Sequence, residues 1–130
     1  MSYRTSRSAC FRMRLRGGKT RRRIDVDMGS WEYFAVPCKA GATLSIAARL
    51  IGEGSFNLYL VGSEGVIQAP VKGRLSGFDR RKALWSQEET RSVAMTYTAT
   101  KPGTLYVFFD NHHDELEPKF IDADIRLHGD

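Results

Sequence analysis

The residues best equipped for chemistry lie in one acidic, histidine-bearing run, Asp110-Asn111-His112-His113-Asp114-Glu115-Leu116-Glu117. Imidazoles and carboxylates are ligands for divalent metals, but adjacent histidines point apart on an extended chain. No His-x-x-x-His or Cys-x-x-Cys places two ligands on one side, so the spacing argues against structural zinc. A calcium site built from Asp110, Asp114 and a loop carbonyl has no EF-hand pattern behind it. The reading is therefore no metal and no cofactor. Asp110 and Asn111 are read instead as loop-structuring residues, because Asp and Asn at a strand end bond the backbone amides of the turn that follows and tolerate left-handed conformations.

Other chemistry is not supported by spacing. Gly18-Lys19-Thr20 ends like a phosphate-binding loop, but Met13 stands where that motif needs glycine, and no strand-to-helix context surrounds it. No Gly-x-Ser-x-Gly elbow is present, and neither Cys10 nor Cys38 has a base beside it in sequence. The two cysteines form no disulfide framework: buried thiols are the favoured reading, with a single bridge as the alternative if the compartment is oxidising and their strands are neighbours. The chain is read as non-enzymatic.

Charge carries more information. Residues 1–23 hold eight arginines and Lys19 with no acid, so the whole chain's net charge of +5 conceals a segment of +9 and a remainder of −4. A local basic block marks a surface that meets phosphate or an acidic partner. Arg12, Arg14, Arg16, Arg21, Arg22 and Arg23 are the partner-binding candidates. Nucleic acid is the alternative partner, since arginine suits bidentate phosphate contact. Against it, the aromatics sit at core-facing positions rather than on a displayed stacking platform.

The same segment is Arg-rich and acid-free like a transit peptide, yet Phe11, Met13 and Leu15 recur at every second position rather than at helical spacing. No apolar h-region follows the first charges, and no apolar run approaches the ~20 residues of a membrane span. These absences favour a cytoplasmic location.

The elements that must position these residues are strands. At 130 residues a chain buries roughly two-thirds of its unfolded surface, enough for one core without staples. Period-2 alternation predicts a hairpin of 11–15 and 24–28 around a Gly17–Thr20 turn, with Asp25 and Asp27 able to neutralise part of the arginine charge across strands. Further strands are expected at 31–36, stopped by Pro37, and at 43–51, 56–61 and 92–98. Residues 105–109 and 120–127 complete the set, with a short edge strand at 66–71. Residues 105–109 are apolar throughout, which indicates a strand buried on both sides. Residues 72–89 break the rhythm and are read as a long inter-sheet connection, with a short helical turn in 78–87 packing Leu84 and Trp85 inward. The fold class is all-β, an antiparallel sandwich of jelly-roll type with seven to nine strands. Residues 1–9 are expected to form a flexible basic arm on a single domain, 10–130. Core candidates are Phe34, Val36, Leu44, Ile46, Leu58, Leu60, Tyr106, Phe108 and Ile125.

Residues 97–111, YTATKPGTLYVFFDN, with Lys119 and an alternating last strand, resemble the C-terminal half of GOLD domains. Upstream, Tyr33-Phe34-x-Val36-Pro37-x-x-Ala40-Gly41-x-x-Leu44-x-Ile46 and Phe56-Asn57-Leu58-Tyr59-Leu60 resemble both GOLD domains and bacterial pre-peptidase C-terminal domains. The likeness covers about residues 31–128. It implies a jelly-roll-like sandwich used for protein or ligand contact, and it makes Lys119 a third loop-structuring residue beside Asp110 and Asn111. The coiled coil and membrane span of GOLD cargo receptors have no match in these residues, nor does the basic hairpin have one in the family. The functional reading is a non-catalytic interaction or assembly module whose partner is another protein or a second copy. A coat- or shell-like self-assembling protein is a further alternative.

Overall fold

Alternation becomes strand along most of the chain in the computed structural model, which describes residues 18–71 and 74–129. Ten strands are described: β1 (Lys19–Val26), β2 (Trp31–Cys38), β3 (Thr43–Ile51), β4 (Phe56–Gly62), β5 (Val66–Gln68), β6 (Leu75–Phe78), β7 (Ala83–Thr90), β8 (Ser92–Thr98), β9 (Gly103–Asp110) and β10 (Lys119–His128). One four-stranded antiparallel sheet has the order β1-β10-β3-β8, the other β2-β9-β4-β7, and β5 and β6 form a separate two-stranded ribbon. Successive long strands cross between the sheets except at β4 and β7, which pair with each other. That order is the double Greek key of a jelly roll.

Each sheet turns its apolar alternates inward. Ile24, Val26, Leu44, Ile46, Ile121 and Ile125 from the first sheet meet Phe34, Val36, Leu58, Leu60, Val107 and Phe109 from the second in one buried core. The second sheet is also covered on its outer side, where Tyr33, Tyr59, Val61, Leu75 and Phe108 form a smaller buried cluster. Phe78 on β6 stacks on Phe108 with ring centroids 4.0 Å apart, so the β5–β6 ribbon is the cover. The both-sided apolar character of 105–109 has this cause: β9 lies between β2 and β4 and is wrapped on both faces. Phe108 belongs to the outer cluster, and Tyr106 is only partly buried beside it.

Several expectations are corrected. The antiparallel sandwich stands, with β5 inside the expected edge strand 66–71 and two further strands, β6 and β7, in the stretch read as a connection. Residues 72–89 do not cross between sheets, since β4 and β7 are neighbours in one sheet. The helical turn in 78–87 is a single 3-10 turn, Arg80–Lys82; Trp85 packs on the core, but Leu84 is exposed. Pro37 does not stop β2, which runs to Cys38; it is tolerated because β2 is an edge strand. Lys19 and Thr20 are strand rather than turn, and β1 pairs with β10. The expected partner strand 11–15, the arm 1–9 and Cys10 lie outside the described residues. Cys38 is buried, its thiol 3.3 Å from the Val36 carbonyl.

Phe109 is fully buried between the rings of Phe34 and Phe56, at centroid distances of 5.9 and 6.4 Å. Phe109→Ala is expected to cost about 3–5 kcal/mol in a urea unfolding titration. Leu116→Ser, at a side chain 83% exposed, should stay within about 0.5 kcal/mol of wild type. Equal losses at the two positions would contradict this placement of the core.

Candidate functional site

The polar residues gather where the outer row of the second sheet ends. Along β9 the side chains of Tyr106, Phe108 and Asp110 share the outer face, and Asp110 is flanked in register by Trp31 on β2 and Asn57 on β4. Asp110 is 1% exposed, and a carboxylate that deep needs partners. Asn57 Nδ2 donates to its Oδ2 at 3.1 Å, and the His112 Nδ1 atom hydrogen-bonds the same oxygen. No lysine or arginine pairs with Asp110 among the described residues.

Asn57 is held in turn by an irregularity of β7. Phe56 pairs with Thr90 and Leu58 with Gln87, so two residues, Glu88 and Glu89, stand opposite Asn57 as a bulge. Glu89 takes a left-handed φ of 49°, and its amide donates to Asn57 Oδ1 at 2.7 Å. That bond fixes which way the amide faces, and Nδ2 is left within 3.4 Å of His113 Nδ1 as well as bonded to Asp110. Ser55 Oγ lies 3.4 Å from His113 Nε2. Farther along the same face, the Tyr59 hydroxyl donates to Glu88 Oε2 at 2.6 Å. Burial, reinforced by this bond, pushes the phenol up to about 12.

A second set of bonds shapes the loop after β9. Asn111 Nδ2 donates to the carbonyls of Glu117 at 2.9 Å and Asp27 at 3.3 Å, tying the loop's exit to the β1–β2 turn. Asp114 Oδ1 accepts the amides of Leu116 and Glu117, while Oδ2 accepts from Lys119 Nζ at 2.6 Å. The Lys119 side chain is 3% exposed. Its stem passes so close to Gly54 that an added Cβ there would lie 2.9 Å from Cε. The roles differ from the expected amide capping. Asn111 donates to carbonyls, Asp110 bonds side chains, and Asp114 is the residue that receives turn amides.

The basic strand stands elsewhere. Arg21, Arg22 and Arg23 are exposed on β1, which pairs on one side with β10. Arg21 faces Asp124 in register, and Arg23 is 2.9 Å from Asp25 while its guanidinium sits 4.4 Å over the Phe120 ring. The guanidinium of Arg22 lies 5.8 Å from the Phe34 ring centroid, at the mouth between the sheets. Arg12, Arg14 and Arg16 lie outside the described residues. At the end of the sheet opposite Asp110, an open groove of about 400 Å³ runs between Leu84, Tyr97, Pro102 and Leu105.

No family model matches the chain, and no curated protein matches its sequence. Solved structures match its fold. The periplasmic g-type lysozyme inhibitor PliG of Aeromonas hydrophila aligns at TM-score 0.60 and 9% identity, over 89% of this chain and 93% of that one. The pre-peptidase C-terminal domain of collagenase from Bacillus anthracis aligns at TM-score 0.51 and 14% identity, over 84% and 88%. The pre-peptidase C-terminal resemblance thus stands at the level of fold, a β-sandwich. The cytoplasmic expectation is not upheld: it rested on absences, and PliG, which shares the fold, is a periplasmic protein. No helix among the described residues is long and apolar enough to cross a membrane.

Lys119 holds the Asp114 carboxyl down to about 2, from an ordinary value of 3.8, helped by the two loop amides. Because the folded value is the lower one, the stability this carboxylate contributes is complete above about pH 4 and is lost as pH falls toward 2. Asp114→Asn should flatten the acid limb of a stability-versus-pH profile in that window. An unchanged limb would show that the pair does not couple to folding.

Proposed function

We propose that this chain is a non-catalytic protein-interaction module that meets an acidic protein partner through strand β1. The carrying observation is the placement of Lys19, Arg21, Arg22 and Arg23, all cationic and largely exposed, on a strand that stands at the edge of its sheet among the described residues. A sheet edge offers backbone groups for strand addition, and the flanking cations supply attraction and register for an acidic strand or loop. Arg12, Arg14 and Arg16 extend the same basic run in sequence. The neighbour that inhibits a lysozyme supports contact with proteins in general, at the level of fold and without a target.

The test compares wild type with Arg21→Gln/Arg22→Gln/Arg23→Gln after thermal melts have shown both folded. Purified without nuclease, the wild type should elute from a sizing column as a small species with a protein-like 260/280 nm ratio. An acidic protein recovered by cross-linking in cells should bind it in purified form, weakening at least tenfold in the triple variant and in high salt. An excess at 260 nm that high salt removes would overturn the reading in favour of nucleic acid. A large, salt-insensitive particle would overturn it in favour of self-assembly.

A further inference from the structure

We infer that the Asp110 end of the sandwich is a binding site for a divalent transition-metal ion of the zinc class, held by Asp110, His112 and His113. One ligand atom from each of the three residues lies within 4.8 Å of the other two. Neighbouring histidines diverge on an extended chain, and this segment is not extended. Here the chain leaves β9 in a turn, with Asp114 N donating to Asn111 O at 3.2 Å, and the two imidazoles stand edge to face at 6.1 Å. The turn does what a spacing of three or four does on a helix.

The donor set selects the ion. Two imidazoles and one carboxylate suit zinc, cobalt or nickel, whereas calcium wants six to eight oxygens. A metal at ~2.0–2.1 Å from each ligand would set the three atoms roughly 3 Å apart. Reaching that spacing takes up to about 2 Å of ring movement where the separation is widest, while the direct His112–Asp110 contact opens to admit the ion, and two exposed side chains can make both changes. His112 Nδ1 already contacts the Asp110 oxygen.

The surroundings fit an ion as well. Asp110 is a buried carboxylate with a hydrogen-bonded amide and an imidazole as its neighbours; Arg80 interacts with its charge at longer range, but no lysine or arginine among the described residues forms an ion pair with it. A divalent ion would supply that countercharge. Asn57, oriented by the Glu89 amide, bonds the carboxylate and stands beside one imidazole, the kind of outer support that fixes ligand orientation in metal sites. His112 and His113 are exposed, so the site is open on its loop side and the remaining positions fall to water. The site is separate from β1, and its test is independent of the partner reading.

Tag-free protein would be titrated with zinc chloride by calorimetry, while the histidine ring signals are followed by NMR. Saturation at one ion per chain is expected, with the ring signals of His112 and His113 shifting and that of His128 unmoved. His112→Ala and His113→Ala should each weaken binding at least tenfold, and His113→Ala, which leaves the partners of Asp110 in place, should do so without lowering the melting temperature of the metal-free protein. His128→Ala should bind as wild type does. Absence of a one-to-one isotherm, or binding that survives both single variants, or equal weakening by His128→Ala, would overturn the assignment.

Discussion

Strand β9 sets the terms for the rest of the molecule. Because Leu105, Val107 and Phe109 on one face and Tyr106 and Phe108 on the other are all apolar, the strand is stable only inside a sheet covered twice. The first cover is the opposing sheet, which supplies the main core. The second is the β5–β6 ribbon, which would have little reason to order without an aromatic surface to lie on, since a two-stranded ribbon alone is marginal in water. Asp110 ends this strand at the level where the outer cover ends, so its carboxylate is buried from within the sheet yet adjacent to the loop.

That position explains why the polar end is organised as it is. An apolar row can terminate at a polar residue only if partners are on hand, and these come from both neighbouring strands and the following turn. The β7 bulge is the least regular part of the sheet, and it supplies the Glu89 amide that Asn57 requires. Lys119 and Asp114 meet the same difficulty one layer away: an ammonium 3% exposed is matched by a carboxylate kept ionised.

Legibility followed periodicity. β3, β8 and β10 of the first sheet, the Ile24–Val26 end of β1, and β2, β4 and β9 could be read because one or both faces are buried, so alternation or a continuous apolar run survives in the sequence; Lys19–Arg23 could not, having no buried side chain. β7 could not, because Ser86, Gln87, Glu88 and Glu89 are exposed on an edge strand whose backbone pairing makes no demand on composition. β6 was missed for the related reason that four residues are too few to show a period. Among the site residues, Asp110 and Asn111 were visible as strand-end residues. Asn57, Ser55 and Glu89 were not, since a separation of 53 positions between Asn57 and Asp110 is closed only by strand register. The two histidines were visible as residue types but were placed on an extended chain, and the turn after Asn111 was the missing fact.

The sheet order also carries a meaning in time. β9 and β10, the last of the described strands in chain order, occupy interior places, β9 between β2 and β4 and β10 between β1 and β3. A growing chain therefore cannot complete either sheet by adding strands at a margin; both remain gapped, with β1 lacking its described partner, until β9 and β10 have left the ribosome. Native pairing waits for these two strands in a chain wired this way, and the interval before they emerge is when its apolar strands are open to chaperones and to one another.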